Sequence, residues 1–166
     1  MELPIQNLSH NTAVILTGLS AGLFYAWSVS VIPGTQKISD LNYLYTMQHI
    51  NRAILNPAFF IVFFGSLIAL ICSTYLTYSV STKGFWLLLF ATVTYLIGTV
   101  GVTGLGNVPL NNELEALKIS TLSTKEVAEF RKYYESHWNK LHTYRMLFSV
   151  LSFVMALLAL NITFKN

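Results

Sequence analysis

The sequence predicts an all-α membrane protein in which four antiparallel transmembrane helices form a bundle. The connection between the first two helices and the connection between the last two form a polar helical cap over this bundle. Of its 166 residues, 54% are hydrophobic and only 10% are charged, whereas an average soluble domain is about one quarter charged. Four separate stretches are also apolar over about 20 residues, the length that a helix needs to cross a bilayer. The chain length fits one domain, over residues 1–166.

The four predicted spans contain no charged residue and alternate with polar connections. They cover residues 13–32, 57–78, 85–105 and 146–164. Asn56 followed by Pro57 is a typical start, with an N-cap and then proline at the first helical position. Proline interrupts helices, so we expect Pro33 to end the first span and Gly106 with Pro109 to break the third.

The first polar connection, residues 33–56, is predicted to contain one short helix. Ser39 or Asp40 can cap it, and it should run to about Ile54. One face of this helix carries three polar side chains, because they follow helical spacing. They are Gln48, Asn51 and Arg52.

The second polar connection, residues 106–144, leads into a long helix. A short helix is expected to end near Ile119, and Ser123 with Glu126 then forms a capping box. No Gly or Pro follows, so one helix is predicted over residues 124–164. Such a helix is roughly 60 Å long, about twice the hydrocarbon thickness, so its first half must stand outside the hydrocarbon.

One face of that long helix is polar, although a face with this spacing normally packs through apolar residues. Its members are Arg131, Glu135, Trp138, His142, Arg145, Ser149 and Ser152. Polar side chains at membrane depth usually face a cavity, the bundle interior or one another. We therefore predict a site around Trp138, His142 and Arg145, with Asn139 at its border. The opposite wall is expected from Gln48, Asn51, Arg52 and the loop from Asn107 to Asn111.

Several other functions do not fit the composition. The net charge is only +3, and basic residues mix with acidic ones, so no nucleic-acid surface is predicted. Cys72 is the single cysteine and cannot form an internal disulfide. His137 and His142 lie about 140° apart around a helix, so they do not converge on a metal. No cofactor is predicted, and an axial haem role for His49 or His142 is left open.

With these residues identified, the chain resembles the anthrone oxygenase-like family of small four-span membrane proteins, much of which has no assigned function. Four segments carry the resemblance, occur in the family's order and cover nearly the whole chain. They are residues 22–27 with Pro33-Gly34, residues 47–54 with Asn56-Pro57, residues 106–111, and Trp138-Asn139 with His142 and Arg145.

The resemblance implies oxidation of an anthrone, a tricyclic ketone, to an anthraquinone by O₂. Loss of a benzylic proton gives an enolate that reacts with O₂ without a metal, so the site needs a base, hydrogen-bond donors and a dry apolar pocket. His142 is the expected base, with Arg145 and Asn139 as the other catalytic residues. The expected substrate-binding residues are Trp138, Gln48, Asn51, Arg52, Asn107, Asn111, Tyr25 and Trp27.

Two other functions use the same residues. In the first, the protein is a binding module for a lipid-soluble aromatic or quinone. In the second, it is a structural membrane subunit whose polar face joins helices and a partner. Homo-oligomer formation is left open. The expected partners are the lipid bilayer, a small hydrophobic aromatic ligand and O₂.

The expected location is the plasma (inner) membrane of a bacterium. Even-numbered spans place both chain ends on one side, where only Lys83 and Lys165 lie close to the membrane. The other basic residues fall on the opposite side, and basic loops are usually cytoplasmic. We therefore expect the two larger loops in the cytoplasm.

Overall fold

The computed structural model describes residues 5–163, which form a helical bundle. Four helices are long and apolar enough to span a membrane. They are α1 (Ile5–Thr35), α3 (Pro57–Thr77), α4 (Thr82–Ala116) and α5 (Thr124–Thr163). A further helix, α2 (Asp40–Ala53), and a short 3₁₀ turn, Ile119–Thr121, lie in the polar connections.

The spanning helices follow one another around the bundle, with α1 packed against α3 and α5, and α4 packed against α3 and α5. Helix α2 packs against α5 and the last turns of α4, on the same side of the bundle. This arrangement confirms the predicted all-α four-helix bundle with a helical cap. Phe164, the end of the predicted fourth span, lies outside the described residues.

The helix starts follow the predicted capping residues. The Asn56 side-chain oxygen accepts from the backbone N–H of Phe59 at 3.0 Å. At the start of α5, the backbone N–H of Ser123 donates to the Glu126 carboxylate at 2.7 Å, and Glu126 N–H donates back to Ser123 Oγ at 3.4 Å. These bonds satisfy N–H groups that have no partner within a helix.

Neither Pro33 nor Pro109 ends its helix, so this expectation was wrong. Helix α1 continues to Thr35 and α4 to Ala116, and the predicted short helix that ends near Ile119 is part of α4. A π-helical segment ends two residues before each proline: Trp27–Val31 in α1 and Thr103–Asn107 in α4. Proline lacks an N–H and clashes with the carbonyl four residues back. A π turn changes the bonding register there, so the helix passes through.

The interior contains an apolar core in the cap and another in the bundle. The cap core comprises Tyr43, Leu44, Met47, Leu110, Leu114, Ile119, Val127, Tyr134 and Trp138. The bundle core comprises Ala13, Ala69, Leu70, Leu88, Ala91, Tyr95, Ala156 and Ala159. Its many small residues let the helices approach closely, as is common between membrane helices. Large apolar side chains such as Ile61 and Leu105 face outward, where lipid tails would lie.

Arg131 ties the cap to α5. Its guanidinium forms ion pairs with Asp40 at 2.9 Å and Glu135 at 3.0 Å, and donates to the Ile38 carbonyl at 2.7 Å. It also lies over the ring of Tyr43, 4.5 Å from the centroid. Burial raises the pKa of the Tyr43 hydroxyl, and the nearby Glu135 carboxylate raises it further, so the tyrosine stays neutral in this core.

The polar face predicted on α5 points inward. Its members Arg131, Trp138, His142, Arg145, Ser149 and Ser152 are all buried, while Glu135 is half-buried. The neighbouring Lys140 and Tyr144 are exposed. The polar face therefore continues from the cap into the bundle, as its spacing predicted.

Candidate functional site

A cavity of about 320 Å³ lies where the cap meets the bundle, and all five helices contribute to its wall. Small-molecule sites in proteins typically measure about 300–1,000 Å³ and are mostly apolar. The apolar wall includes Leu23, Phe24, Ile50, Leu55, Phe59 and Val108. The polar and amphipathic lining comprises Trp27, Asn51, Arg52, Thr103, Asn111, Asn112, Glu115, Trp138 and Arg145.

Two of the π-helical segments open onto this cavity. Trp27 begins the segment in α1, Thr103 begins the one that precedes Pro109 in α4, and both residues line the cavity. Such π turns widen a helix locally and occur frequently at functional sites. The same irregularity that lets each helix pass its proline therefore also shapes the cavity wall.

Arg145 is a buried cation without a carboxylate partner among the described residues. It is only 8% exposed and lines the cavity. Its guanidinium lies over the rings of Trp138 and Phe24, 4.8 Å from each centroid. Cation–π contacts contribute about 0.5–2 kcal/mol each, which does not replace the hydration that a buried charge loses. The geometry thus presents an uncompensated positive charge to whatever occupies the cavity.

His142 is fully buried, and both of its ring nitrogens are engaged. Nε2 lies 3.0 Å from the Ser28 hydroxyl and 3.1 Å from the Phe24 carbonyl oxygen. A carbonyl oxygen only accepts, so Nε2 carries the hydrogen and Nδ1 offers its lone pair to Arg145, which donates at 3.1–3.2 Å. The ring also stacks on Trp138, with 6° between the planes. His142 is therefore a neutral imidazole that holds Arg145 in place.

Hydrogen bonds from neighbouring side chains determine the orientation of the Asn111 amide. Its Oδ1 atom accepts from the indole N–H of Trp138 at 2.9 Å and from the Tyr134 hydroxyl at 3.0 Å. Tyr134 in turn accepts from the Asn51 amide at 3.2 Å. Because Oδ1 faces these two donors, the Asn111 amide nitrogen points away from them and is available to donate to a ligand.

Arg52 and Glu115 form an ion pair at one edge of the cavity. Arg52 Nη2 lies 2.8 Å from Glu115 Oε1, and Nε lies 2.9 and 3.1 Å from the two carboxylate oxygens. The two side chains are 55% and 47% exposed. The pair joins α2 to the end of α4, and both of its side chains line the cavity.

A comparison with known protein families assigns the chain to one of them. The family model described as anthrone oxygenase matches residues 59–155, more than half of the sequence. The chain belongs to the anthrone oxygenase family. No curated protein and no solved structure matches it.

The region matched to the anthrone oxygenase family contains much of the cavity wall. Asn111, Glu115, Trp138 and Arg145 lie within it, whereas Trp27 precedes it. Together with the four spanning helices, the family match makes this protein a multi-pass membrane protein of an oxygenase-like family.

The structure brings six of the predicted site residues of this anthrone oxygenase family member into one cavity wall. They are Trp27, Asn51, Arg52, Asn111, Trp138 and Arg145. His142 does not line the cavity, but it contacts both Arg145 and Trp138. Of the predicted wall opposite the long helix, Asn51, Arg52 and Asn111 line the cavity, whereas Gln48 and Asn107 do not.

Other predicted site residues lie outside the cavity lining. Gln48 is buried and donates to the Leu114 carbonyl at 2.8 Å, which ties α2 to α4. Asn107 is buried and donates to the Trp138 carbonyl at 3.3 Å. Asn139 lines a separate open depression beside Arg131. The part of each in substrate binding or catalysis stays a prediction.

The remaining predicted contacts are peripheral. Tyr25 is 57% exposed on the outer face of α1 and does not line the cavity. His49 is exposed on α2, and His142 has no free ring nitrogen, so neither presents an axial ligand to the cavity. Among the described residues, no three His, Cys, Asp or Glu side chains are grouped as a metal site requires.

Sequence analysis missed Glu115, Thr103 and Phe24 as members of the cavity wall. Glu115 follows Asn111 by four residues, so the two share a helical face. The sequence did not single out this spacing, because Asn111 was considered only as a possible cap of the short helix that was expected to end near Ile119. Phe24 lies in an apolar span, where nothing in its spacing distinguishes it from a lipid-facing residue.

Proposed function

We propose that the protein is a cofactor-independent membrane oxygenase that converts an anthrone-type tricyclic ketone to the corresponding anthraquinone with O₂. The observation that supports this proposal is the pairing of an apolar cavity with the uncompensated charge of Arg145. An enolate is flat, apolar over most of its surface and negatively charged at one oxygen. An apolar environment offers this oxygen no positive counter-charge, and the Arg145 guanidinium supplies one.

The chemistry begins when a base removes a proton from the benzylic carbon. The electron pair of that C–H bond spreads onto the ketone oxygen, where Arg145 and the Asn111 amide stabilise it. Trp138 and Trp27, whose ring centroids lie 5.8 Å apart, bound the flat ring system. The electron-rich carbon then reduces O₂ and forms the new carbon–oxygen bond, and the products are the anthraquinone and water.

His142 has a supporting part in this proposal. Its Nδ1 lone pair already accepts from Arg145, and its N–H faces the Phe24 carbonyl. The ring therefore orients the guanidinium toward the cavity. Its predicted role as the base stays a prediction, which the variants described in the Discussion address.

Substrate and O₂ both dissolve in lipid, and the cavity wall supports access from the bilayer. Leu23, Leu55 and Val108 belong to the wall and are 38%, 66% and 41% exposed. Exposed apolar side chains around a pocket are typical of an opening toward a hydrophobic phase. The Arg52–Glu115 pair faces the aqueous side.

The test uses the purified protein in lipid nanodiscs with anthrone and a peri-dihydroxyanthrone. We expect anthraquinone absorbance to rise faster than in empty nanodiscs, with one O₂ consumed for each quinone formed. Arg145→Gln should lose most of this rate. Binding of anthrone without product would favour the non-catalytic binding module, and neither binding nor turnover would contradict the proposed function.

We further propose that the cap faces the cytoplasm of a bacterial plasma membrane, since most basic residues flank it. Single cysteines in a Cys72→Ala background test this orientation. Lys118→Cys, beside the cap, should react with a membrane-impermeant maleimide only after cell lysis, and Lys83→Cys, in the first turn of α4, should react in intact cells. The opposite labelling pattern would reverse the orientation.

A further inference from the structure

The proposed oxidation needs a group that accepts the benzylic proton, and we infer that the Glu115 carboxylate is this base. The inference rests on the proposed function and adds a catalytic residue to it. It starts from the Arg52–Glu115 pair at the edge of the cavity. The sequence singled out Arg52 but not Glu115, and the enolate-binding groups leave the Glu115 carboxylate unused.

Glu115 is the one carboxylate among the described residues that line the cavity. Arg52 and Arg145 are cations and cannot accept a proton. The remaining polar lining residues carry amide, hydroxyl or indole groups, which are not bases near neutral pH. His142 is fully buried behind Arg145, and its lone pair is already taken by the guanidinium.

Glu115 also has a lone pair available to accept a proton while it is bound to Arg52. The arginine makes three contacts with the carboxylate oxygens, and a carboxylate offers about four lone-pair sites. The arginine fixes the position of the carboxylate through these contacts. With a side chain that is 47% exposed, Glu115 connects the apolar cavity to solvent.

The position of Glu115 relative to the enolate-binding groups supports the same role. It lies one helical turn after Asn111 on α4, so both side chains approach the cavity from one helix face. The tricyclic substrate carries its ketone and its benzylic carbon at opposite edges of the central ring. A ketone beside Arg145 and Asn111 thus leaves the benzylic edge to face another part of the wall.

The two cavity-lining arginines stabilise the negative charge before and after proton transfer. Initially the charge lies on Glu115, beside Arg52. When the benzylic C–H proton moves to a Glu115 oxygen, the bonding pair forms the enolate and the charge lies beside Arg145. The site therefore carries the same net charge throughout, and neither anion forms in the apolar cavity without a cation beside it.

The remaining steps return the proton. O₂ accepts the electron pair of the enolate carbon and becomes a carbon-bound peroxide anion. Glu115 gives its proton to this peroxide and becomes a carboxylate again. The hydroperoxide then loses water, which includes the second benzylic hydrogen, and leaves the new carbonyl. One anthrone and one O₂ thus give one anthraquinone and one water.

The experiment separates proton removal from oxidation. The purified protein in nanodiscs is incubated with anthrone in deuterated buffer without O₂, and deuterium at the benzylic carbon is measured by mass spectrometry. Turnover with O₂ is measured in parallel. The variants are Glu115→Gln, which cannot accept a proton, Glu115→Asp, which retains a carboxylate, and Glu113→Gln as a control. Glu113 is exposed, contacts Tyr133 and does not line the cavity.

We expect Glu115→Gln to slow both exchange and kcat about 100-fold or more, the usual contribution of a general base. KM and the melting temperature should change little, Glu115→Asp should recover part of the rate, and Glu113→Gln should behave as wild type. If wild type exchanges and oxidises anthrone and Glu115→Gln does so equally fast, the inference fails and the proposed function stands.

Other outcomes are equally decisive. Exchange that depends on Glu115 without any quinone formation would support the inference and overturn the oxygenase function. A protein that neither exchanges nor oxidises anthrone would overturn both. Loss of exchange in a His142 variant, with full exchange in Glu115→Gln, would assign the base to His142 instead.

Discussion

Arg145 donates from both Nε and Nη2 to the Nδ1 atom of His142, at 3.2 and 3.1 Å. An arginine bonded to a neutral imidazole has no counter-charge, whereas the charge of an arginine bonded to a carboxylate is compensated. The contrast with Arg131 on the same helix is direct, because Arg131 is paired with both Asp40 and Glu135. Arg131 therefore stabilises the cap, and we propose that Arg145 takes part in the chemistry of the cavity.

The two arginines should respond in opposite ways to replacement by methionine. Arg145→Met should lower turnover at least about 100-fold, as the loss of an oxyanion-stabilising donor does. It should leave the melting temperature unchanged or raise it, because an apolar side chain replaces a buried charge. Arg131→Met should instead lower the free energy of unfolding by about 3 kcal/mol, since it leaves carboxylates unpaired. Equal destabilisation by both variants would contradict this division.

Two His142 variants distinguish a positioning role from a base. His142→Phe keeps an aromatic ring against Trp138 but removes the acceptor for Arg145, so kcat should fall about tenfold to 100-fold through misplacement of the guanidinium. His142→Gln supplies both an acceptor and a donor and should retain more activity. The pH profile of kcat should keep its shape in both. If both variants are equally inactive and the acidic limb of the profile disappears, His142 is the base.

Trp138→Phe tests the link between the indole and Asn111. It removes one of the two donors that orient the Asn111 amide, a hydrogen bond worth about 1 kcal/mol. We therefore expect KM for anthrone to rise about fivefold with a smaller change in kcat. Trp86→Phe is the control, since Trp86 is 52% exposed and lies away from the cavity. An equal effect of both variants would indicate a general loss of aromatic contacts.

Gly98→Ala should destabilise the bundle, because a Cβ atom on Gly98 would overlap the Phe148 ring. Overpacking of this kind typically costs about 1–3 kcal/mol, measured as a lower melting temperature in detergent. Gly22→Ala is the matched control, since a Cβ there meets no atom within 4 Å. The double variant Gly98→Ala, Phe148→Ala should lose less stability than the sum of the two single changes. If the stability losses of the two single variants are additive, the destabilisation by Gly98→Ala does not arise from overlap with Phe148.

Much of the architecture follows from local signals. Charge-free apolar stretches predict the four spans, and the caps at Asn56 and Ser123 predict where helices begin. Both kinds of signal act between residues close in the chain, so they do not depend on tertiary contacts. The polar face through His142 and Arg145 is equally local, because helical periodicity determines which side chains of one helix share a face.

Only the tertiary structure decides which of these polar side chains meet. Periodicity gives an angle around one helix but no distance to a neighbouring helix, so it did not separate Asn51, in the cavity wall, from Gln48, which binds α4. The π turns before Pro33 and Pro109 also shift the helical phase, which no fixed spacing anticipates. Glu115, which the sequence placed on a separate short helix, lies on the continuous helix α4 and lines the cavity.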